Sequence, residues 1–421
     1  MLDLKFISEN AEFVKDVVKN KKEKANIDEL LNLYENKKKL QFSFDNLKAT
    51  QNKVSKEIAK KKRNKENADD LLAQMKLEAE KVKKINAELS ESSKKLENAL
   101  LRVPNVYNKN VPIGSSEDDN EIVRYEGEKK EFSFKPKTHI EIAEKNHLLD
   151  IERGTKLTGS GFPTYVNKGA MLERALINFM LDFHITKHGY TELKVPFMVN
   201  RKTMTGTGQL PKLENDMYRI TEDDLFLIPT AEVPVTNFYA GEILNEKDLP
   251  VKFVAYTPCF RREAGSYGKD TKGLQRVHQF NKVEMVRLVK PENSYEILDE
   301  MVADAEDILK ALKLHYRVLN LCTGDLSFAS AQTFDLEVWA PGAQKYLEVS
   351  SISNFEDFQS RRASLRFRGD DGKPHFVHTL NGSGLATPRT FIAILETYQN
   401  EDGSIDVPKV LQPYLQGLKK I

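Results

Sequence analysis

The stretch CFRREAGSYGKDTKGLQRVHQFNKVEM, residues 259–285, decides the fold of this chain of 421 residues. An apolar run ends in two arginines and a glutamate, a loop rich in glycine and lysine follows, and the chain then becomes apolar again. This pattern predicts two β-strands joined by a loop over residues 264–275. A loop of that length exceeds what a β-hairpin needs, and such loops are commonly functional.

Side-chain alternation in the two strands predicts a charged face. Residues two apart share a face, so we expect Arg261 and Glu263 on one side and Arg262 on the other. On the return strand, every second residue shares one face, and these residues are His278, Phe280, Lys282 and Glu284. Charged groups that are buried need partners. A phosphate, a base and an amine would supply them, and an internal ion pair on a solvated face explains the pattern equally well.

Composition indicates a globular protein with 40% hydrophobic and 30% charged residues. The two cysteines, Cys259 and Cys322, are too few for a disulfide framework or a cysteine-based zinc site, which fits a reducing compartment. No apolar run approaches the ~20 residues that cross a bilayer. The N-terminus has neither a signal core nor an arginine-rich transit pattern. We therefore predict a cytoplasmic protein with no membrane partner.

The N-terminal quarter has the pattern of a coiled coil. Residues 27–103 contain no glycine, and apolar residues recur every seven positions on both sides of a polar break at residues 60–70. The two series are Leu33, Leu40, Leu47 and Val54, and Met75, Val82, Leu89 and Leu96. This spacing predicts two long antiparallel helices with their connection near residues 60–70. We expect an arm over residues 1–103, a linker over 104–121 and a larger domain over 122–421.

Charge suggests what this arm contacts. The chain has a net charge of +1, yet residues 1–100 hold 23 Lys and Arg against 18 Asp and Glu. The outer part is crowded with basic residues: Lys53, Lys56, Lys60, Lys61, Lys62, Arg63 and Lys65. Such a cluster favours the phosphate backbone of a nucleic acid. The modest excess also fits an ordinary solvated helix surface.

The larger part of the chain alternates short β-rich runs with a few helices, which predicts an α+β fold with a mostly antiparallel sheet. In a second hairpin, residues 334–355, Glu348 and Ser351 offer oxygen ligands for Mg²⁺. Because they are three residues apart, they can bind one ion only if a bulge or the end of the strand lies between them. Farther on, Arg389 would stand in the first turn of a helix, where a cation is unfavourable unless an anion binds there. We interpret His375 and His378 as structural.

Several of these stretches resemble class II aminoacyl-tRNA synthetases, and most closely the seryl-tRNA synthetase family. CFRREAG is similar to the second signature of that class, GLATPRTFIA to the third, and the helix and strand ending at Pro196 to the first. TAEVPVTN, HQFNKVEM, EVSSISNF and TLNGSGLA resemble stretches of the seryl family. The resemblance implies an antiparallel sheet flanked by helices, a homodimer, and activation of L-serine by ATP with Mg²⁺ and without zinc. Transfer to tRNA(Ser) would follow, with tRNA(Sec) as a further candidate.

The resemblance also implies roles for individual residues. Arg261 would bind the α-phosphate and the serine carboxylate, and Arg389 the γ-phosphate, which makes them the catalytic pair. The implied ATP site comprises Arg261, Arg262, Glu263, Val277, Phe280, Glu348, Val349, Ser350, Ser351 and Arg389. Within it Phe280 would stack on adenine, Val277 would contact it through the backbone, and Glu348 and Ser351 would hold Mg²⁺. The implied serine site comprises Thr230, Ala231, Glu232, Arg261, Glu284 and Ser383.

Two other functions are compatible with such a chain. One is a related ligase that charges a carrier protein with an amino acid, against which the long arm argues. The other is a catalytically inactive, RNA-binding scaffold. The presence of Arg261, Glu263, Glu348, Ser351 and Arg389 argues against this second alternative.

Overall fold

The structure is a computed structural model that describes residues 1–263 and 273–421. The chain forms two compact units, Leu2–Pro104 and Asn105–Ile421, with Met1 belonging to the second. Most of the predicted loop 264–275 lies outside the described residues. In the described part of the chain, no helix is long and apolar enough to span a membrane.

The smaller unit is a helical hairpin preceded by two short helices. Its helices are α1 (Leu4–Glu9), α2 (Ala11–Asn20), α3 (Ile27–Arg63) and α4 (Asp69–Leu100). Asn36, near the start of α3, donates a hydrogen bond to Ser92, near the end of α4, at 3.4 Å. The two long helices therefore run antiparallel, and α3 measures about 55 Å at 1.5 Å per residue.

Burial along the hairpin confirms the predicted coiled coil. Val54, Val82 and Leu96 from the two heptad series are buried. Leu33, Leu40 and Leu47 are only half-buried, because a two-helix hairpin has no third layer to cover them. The helices are interrupted between Arg63 and Asp69, inside the predicted turn region. Most of the outer basic side chains are exposed, with Lys61 half-buried.

The larger unit is built on an eight-stranded sheet with the order β1-β11-β12-β13-β16-β10-β9-β4. The strands of the unit are β1 (Glu121–Glu126), β2 (Leu149–Asp150), β3 (Thr164–Tyr165), β4 (Thr191–Glu192), β5 (Met198–Asn200), β6 (Arg219–Ile220), β7 (Leu225–Leu227), β8 (Ile243–Asn245), β9 (Val251–Phe260), β10 (Gln279–Val289), β11 (Tyr316–Asn320), β12 (Gln332–Ala340), β13 (Lys345–Asn354), β14 (Arg366–Arg368), β15 (Pro374–Phe376) and β16 (His378–Ala386). In the large sheet only the edge pair β4–β9 is parallel. The predicted antiparallel α+β fold is confirmed.

The helices of this unit are α5 (His139–Lys145), α6 (Ile151–Thr158), α7 (Asn167–His188), α8 (Arg201–Gly206), α9 (Glu232–Thr236), α10 (Ser294–Ala311), α11 (Phe358–Ala363) and α12 (Thr387–Thr397). Apolar stripes of α7, α10 and α12 join the main core. Short 3₁₀ turns occupy Glu117–Asp119, Glu214–Asp216, Glu246–Asp248, Pro291–Asn293, Lys409–Leu411 and Pro413–Leu415.

Strand β10 shows how the sheet separates core from site. Its odd-numbered residues Val283 and Met285 belong to the core under α7, α10 and α12. Its even-numbered residues Val286 and Leu288 pack on the opposite face in a smaller core with residues of α9 and α11. Phe280, Lys282 and Glu284 continue this second face along the strand. The open part of the sheet therefore lies on the face away from the three long helices.

Three local predictions need correction. The strand that was expected to end at Pro196 is interrupted: residues 190–199 contain the short edge strand β4 of the large sheet and part of β5, which belongs to a separate small sheet. Strand β9 ends at Phe260, and Glu263 adopts φ +48°, so strand alternation does not extend to residues 261–263. The predicted linker 104–121 packs on the larger unit from Asn105 onward, where the buried Asn105 amide donates to the Ala329 and Phe355 carbonyls at 2.9 Å.

Candidate active site

A cavity of about 430 Å³ lies on the open face of the large sheet. Its walls come from β10, β13, β16 and the start of α12, from the residues after α8 and β9, and from the residues before α9 and β10. Twelve of the predicted site residues line it: Thr230, Glu232, Arg261, Glu263, Val277, Phe280, Glu284, Glu348, Val349, Ser351, Ser383 and Arg389. The structure thus brings together side chains that are up to 159 positions apart in the sequence.

Three predicted residues do not line this cavity. The Arg262 guanidinium lies 5.8 Å from the ring centre of Tyr218, and its backbone N–H donates to Asp216. Ala231 is fully buried in the smaller core beside Val235 and Phe253. Ser350 is buried, and its hydroxyl donates to the Ser383 carbonyl at 2.6 Å. Ser350 therefore holds β16 in place, and the structure does not bring Arg262 to the cavity.

Arg261 is an exposed cation that lines the cavity. Its backbone N–H donates to the His278 carbonyl at 2.8 Å, which fixes the residue just beyond β9. The Nε atom donates to the Pro229 carbonyl at 3.4 Å, and the guanidinium lies 5.2 Å from the ring centre of Phe280. Among the described residues, no carboxylate lies within ion-pair distance of Arg261. An anionic ligand can therefore take that position without breaking a salt bridge.

Arg389 is placed differently, because it has a carboxylate neighbour. Its guanidinium donates to the Glu348 carboxylate at 3.2 Å, to the Glu348 carbonyl at 3.0 Å and to the Gln275 carbonyl at 3.2 Å. The residue lies in the first turn of α12, as predicted. A phosphate at this position would compete with Glu348 for the same guanidinium, unless a metal ion engages Glu348.

Glu263 and Arg276 form an ion pair of 2.7 Å across the base of the long loop. Both residues line the cavity, and Val277 next to Arg276 is buried in its wall. The loop ends are thus held to each other at the described residues. The predicted backbone contact of Val277 stays a prediction.

Glu348 and Ser351 lie on either side of an irregularity in β13. Glu337 pairs with Glu348, but the preceding residue Leu336 pairs with Ser350, so β13 carries one extra residue at Val349. Of the two interruptions that the sequence allowed, the structure shows the bulge, and both oxygen-bearing side chains line the cavity. Asp335 precedes Glu337 by two residues on β12, so the two side chains lie on the same face of that strand.

Asp335 was not predicted, and its position suits a cation. Its Oδ1 atom is buried and has no hydrogen-bond partner among the residues that the structure describes, and its carboxyl faces the Ser351 hydroxyl. Burial, and then the Glu348 carboxylate, raise the pKa of Asp335 well above its usual value. These hard oxygen groups fit Mg²⁺, which prefers carboxylate and hydroxyl oxygens together with substrate phosphates. No three His, Cys, Asp or Glu side chains form a metal-holding group by themselves in residues 1–263 and 273–421.

The other end of the cavity carries two carboxylates. Glu284 on β10 is buried and lies directly opposite Ser383 on β16 in the strand register. Glu232, at the start of α9, accepts hydrogen bonds from Gln359 at 2.6 Å and Gln209 at 3.4 Å. Burial, and then the Glu284 carboxylate, raise the pKa of Glu232 to about 7. This end is built to accept a cation or several hydrogen-bond donors.

Sequence reasoning missed several residues of this end. Lys282, Gln209, Gln359 and Asn381 contact or line the site, and none of them was assigned a role, although Lys282 lies in HQFNKVEM and Asn381 in TLNGSGLA. Lys282 is two residues from Glu284 on the same strand, so strand alternation already placed its side chain on the face of the site. Gln359 lies on α11, more than 120 positions from Glu232, so only the three-dimensional structure could place it.

Comparisons with known proteins agree with this geometry. The family model "tRNA synthetase class II core domain (G, H, P, S and T)" matches residues 214–398, and "Seryl-tRNA synthetase N-terminal domain" matches residues 1–107. The serine–tRNA ligase of Chloroherpeton thalassium is 53% identical over 421 residues, 99% of both chains. That of Listeria welshimeri is 50% identical and covers 100% of this chain and 99% of its own. This chain belongs to the seryl-tRNA synthetase family.

Solved structures place the seryl-tRNA synthetase family in the same fold. The seryl-tRNA synthetase of Pyrococcus horikoshii, solved with ATP, is 39% identical with a TM-score of 0.91, covering 100% of this chain and 99% of its own. The cytoplasmic enzyme of Naegleria fowleri, solved with AMP, is 30% identical with a TM-score of 0.85, covering 98% and 96%. The predicted family, fold and enzyme class, a class II serine–tRNA ligase, are confirmed.

Proposed function

We propose that this cavity binds ATP and L-serine, joins them to seryl-adenylate, and passes the seryl group to tRNA(Ser). The observation that carries this placement is the separation of charge within one cavity. Arg261, without a carboxylate partner among the described residues, lies beside the Phe280 ring, whereas Glu284 lies farther along the same strand, next to Glu232. Serine offers a carboxylate to the first and an ammonium and hydroxyl to the second. The homologues named serine–tRNA ligase support the same reaction.

The reaction needs positioning more than proton transfer. The serine carboxylate is already ionised at neutral pH and attacks the α-phosphorus in line, while pyrophosphate leaves. Arg261, placed between the serine carboxylate and the α-phosphate, would hold the two together and stabilise the charge that develops on the phosphate oxygens. Arg389 would hold the γ-phosphate, and Phe280 would stack on the adenine ring. The terminal hydroxyl of the tRNA then attacks the carbonyl carbon of the adenylate.

Mg²⁺ would be held at Glu348 and Ser351, with Asp335 beside them. When bound there, it supplies positive charge to the phosphate oxygens of ATP. Glu348, if engaged by the ion, would no longer hold the Arg389 guanidinium, which would then be available to the γ-phosphate.

The test of the placement is serine-dependent pyrophosphate exchange in Glu284→Gln. We expect kcat/KM for serine to fall about 100-fold or more, because a buried group that binds a charged partner is removed, while KM for ATP stays within a few-fold. Glu296→Gln is the matched control, since Glu296 is exposed on α10 away from the cavity. An unchanged KM for serine in Glu284→Gln would exclude serine from this end of the cavity.

The raised pKa of Glu232 predicts a pH dependence of serine binding. The serine ammonium prefers the ionised carboxylate, so we expect KM for serine to fall as the pH rises from 6 to 8, through the Glu232 pKa of about 7. In Glu232→Gln the KM should be higher and its dependence on pH in this range weaker. Steady-state exchange measured across the range in both enzymes decides this. An equal slope in the two would assign the titration to another group.

The same pKa shift affects stability with the opposite sign. The folded, ligand-free protein binds the Glu232 proton more tightly than the unfolded chain, whose carboxyl keeps an ordinary pKa of 4.5. This contribution to the free energy of unfolding is present at acidic pH and is lost as the pH rises from about 4.5 to about 7. Glu232→Gln should remove that part of the pH dependence of the unfolding midpoint.

The proposed metal site predicts a changed Mg²⁺ requirement. In Glu348→Gln we expect the Mg²⁺ concentration for half-maximal exchange to rise about 10-fold or more, because a charged ligand becomes neutral. Glu337→Gln is the matched control, since Glu337 is paired with Arg317 at 2.6 Å on the adjacent strand. Binding of Mn²⁺ with ATP, followed by electron paramagnetic resonance, gives a readout that does not depend on turnover. Equal Mg²⁺ dependence in both variants would contradict the assignment.

We also propose that the N-terminal hairpin guides tRNA and that the enzyme acts as a homodimer in the cytoplasm. The exposed lysines of the outer hairpin support the first proposal. The exposed edge at β4, next to the end of α7, supports the second. Light scattering should then give twice the 48.1 kDa of one chain. Charging of tRNA(Sec) is a separate expectation, tested by giving the enzyme each tRNA in turn.

A further inference from the structure

Lys282 is a buried cation in the wall of the cavity that no predicted role accounts for. It lies on β10, two residues before Glu284, and only 8% of its side chain is exposed. Its ammonium donates to the Thr230 hydroxyl at 2.8 Å and forms an ion pair with Glu284 Oε2. Both partners line the end of the cavity that carries the carboxylates.

The Thr230 hydroxyl is fully occupied by its neighbours in this arrangement. It accepts from Lys282 and, at 3.2 Å, from the Glu232 backbone N–H, and it donates to Glu284 Oε2 at 3.3 Å. A hydroxyl has one proton and two lone pairs, so none remains for a ligand. Thr230 therefore connects Lys282 to Glu284 and to the start of α9, and these contacts fix the orientation of the Glu284 carboxylate.

The orientation leaves one oxygen of Glu284 for the ligand. Lys282 and Thr230 both engage Oε2, and within the described part of the chain no donor contacts Oε1. Opposite Glu284 in the strand register stands Ser383. A small ligand that donates a hydroxyl proton to Oε1 satisfies this buried acceptor, whereas a ligand with a methyl group there leaves it without a partner.

The positive charge of Lys282 also affects the net charge of the pocket. With all three groups ionised, Glu232, Glu284 and Lys282 carry a net charge of −1, which a single substrate ammonium neutralises. Without Lys282, Glu284 loses the cation that it contacts directly and still faces the neighbouring Glu232 carboxylate. Fold stability alone does not explain the Lys282–Glu284 ion pair, because replacing a buried ion pair with apolar residues often leaves stability unchanged or increases it.

We propose that Lys282 is a specificity-determining positioning residue, which with Thr230 orients Glu284 so that its free oxygen meets the serine hydroxyl and the pocket selects serine over alanine, while its charge balances the pocket for the ammonium that both amino acids carry. This inference rests on the proposed placement of serine at Glu232 and Glu284. Lys282 acts through Glu284 and Thr230 and needs no contact with the reacting atoms.

The experiment measures pyrophosphate exchange with serine and with alanine in Lys282→Met. We expect kcat/KM for serine to fall about 100-fold and that for alanine to fall much less, so that the ratio of the two drops about 10-fold or more. Lys290→Met is the matched control. Lys290 directly follows the same strand, is partly exposed, and pairs with Glu246 at 2.7 Å far from the cavity. Its serine-to-alanine ratio should equal that of the wild type.

Two further variants separate the effect of the hydrogen-bond geometry around Glu284 from the effect of the Lys282 charge. Lys282→Gln keeps a hydrogen-bond donor without the charge, and should retain more discrimination than Lys282→Met if orientation dominates. Lys282→Gly leaves space for methylammonium, which should restore serine activity without an equal gain for alanine. Thermal unfolding of each variant identifies any that does not fold. An unchanged serine-to-alanine ratio in the folded variants would overturn the inference.

The kinetics of Glu284→Gln distinguish a failure of the Lys282 proposal from a failure of the proposed serine site. If Glu284→Gln leaves serine kinetics unchanged, serine does not bind here and both proposals fall. If Glu284→Gln impairs serine while Lys282→Met keeps the wild-type ratio, the placement holds and only the role of Lys282 is overturned.

Discussion

Replacing Arg261 by alanine is expected to lower kcat for serine-dependent pyrophosphate exchange by about 10³-fold. The guanidinium is the cation that the structure leaves without a carboxylate partner among the described residues, at the position where the serine carboxylate and the α-phosphate would meet. Loss of a single preorganised donor to a developing oxyanion typically costs 10²–10³-fold in rate. Arg261 would serve two anionic groups at once, so we place its effect at the upper end.

The adjacent arginine provides the control. Arg262 is equally exposed, but its guanidinium lies near Tyr218 outside the cavity, so Arg262→Ala should stay within a few-fold of wild type in the same assay. Both side chains are exposed, and neither substitution should change the unfolding midpoint by more than a few degrees. Near-normal exchange in Arg261→Ala, or equal losses in the two variants, would remove Arg261 from the reaction.

Local pattern was enough to predict much of the fold. The heptads predicted α3 and α4 because the apolar seam of a coiled coil repeats every seven residues along each helix. The spacing of Glu348 and Ser351 predicted a bulge or a strand end because two residues three apart cannot otherwise share a strand face. In both cases the period of the element decides the answer, and the period is visible in the sequence.

The failures have one physical origin, contacts between residues distant in sequence. Strand alternation was extended to Glu263, but the strand ends at Phe260, where the backbone of Arg261 and Arg262 is held by His278 and by Asp216. Gln359 and Asp335 reach the site only because α11 and β12 pack beside β16 and β13. No local period encodes such neighbours, so the residues that tune Glu232 and the proposed metal site were found only from the structure.

Shortening the N-terminal hairpin is expected to separate the two half-reactions. The pairing of Asn36 with Ser92 indicates that Leu40 and Glu88 lie opposite each other, so a short glycine–serine loop can replace residues 41–87 and join α3 to α4 without changing their inner packing. The removed segment carries 12 Lys and Arg against 7 Asp and Glu. Serine-dependent pyrophosphate exchange should stay within a few-fold of wild type, because every proposed ATP and serine residue lies in the other compact unit.

Charging of tRNA(Ser) by the shortened enzyme should fall by about 100-fold or more in kcat/KM, since contacts to several phosphates supply much of the affinity of such complexes. A second variant keeps the hairpin and changes Lys60, Lys61, Lys62 and Arg63 to glutamine. It should bind tRNA more weakly and with a smaller dependence on salt, because fewer counterions are released. If the shortened enzyme loses exchange and charging to the same extent, the hairpin supports the catalytic unit itself. If the glutamine variant keeps the wild-type salt dependence, these four residues do not contact the tRNA backbone, and the hairpin binds it through another surface.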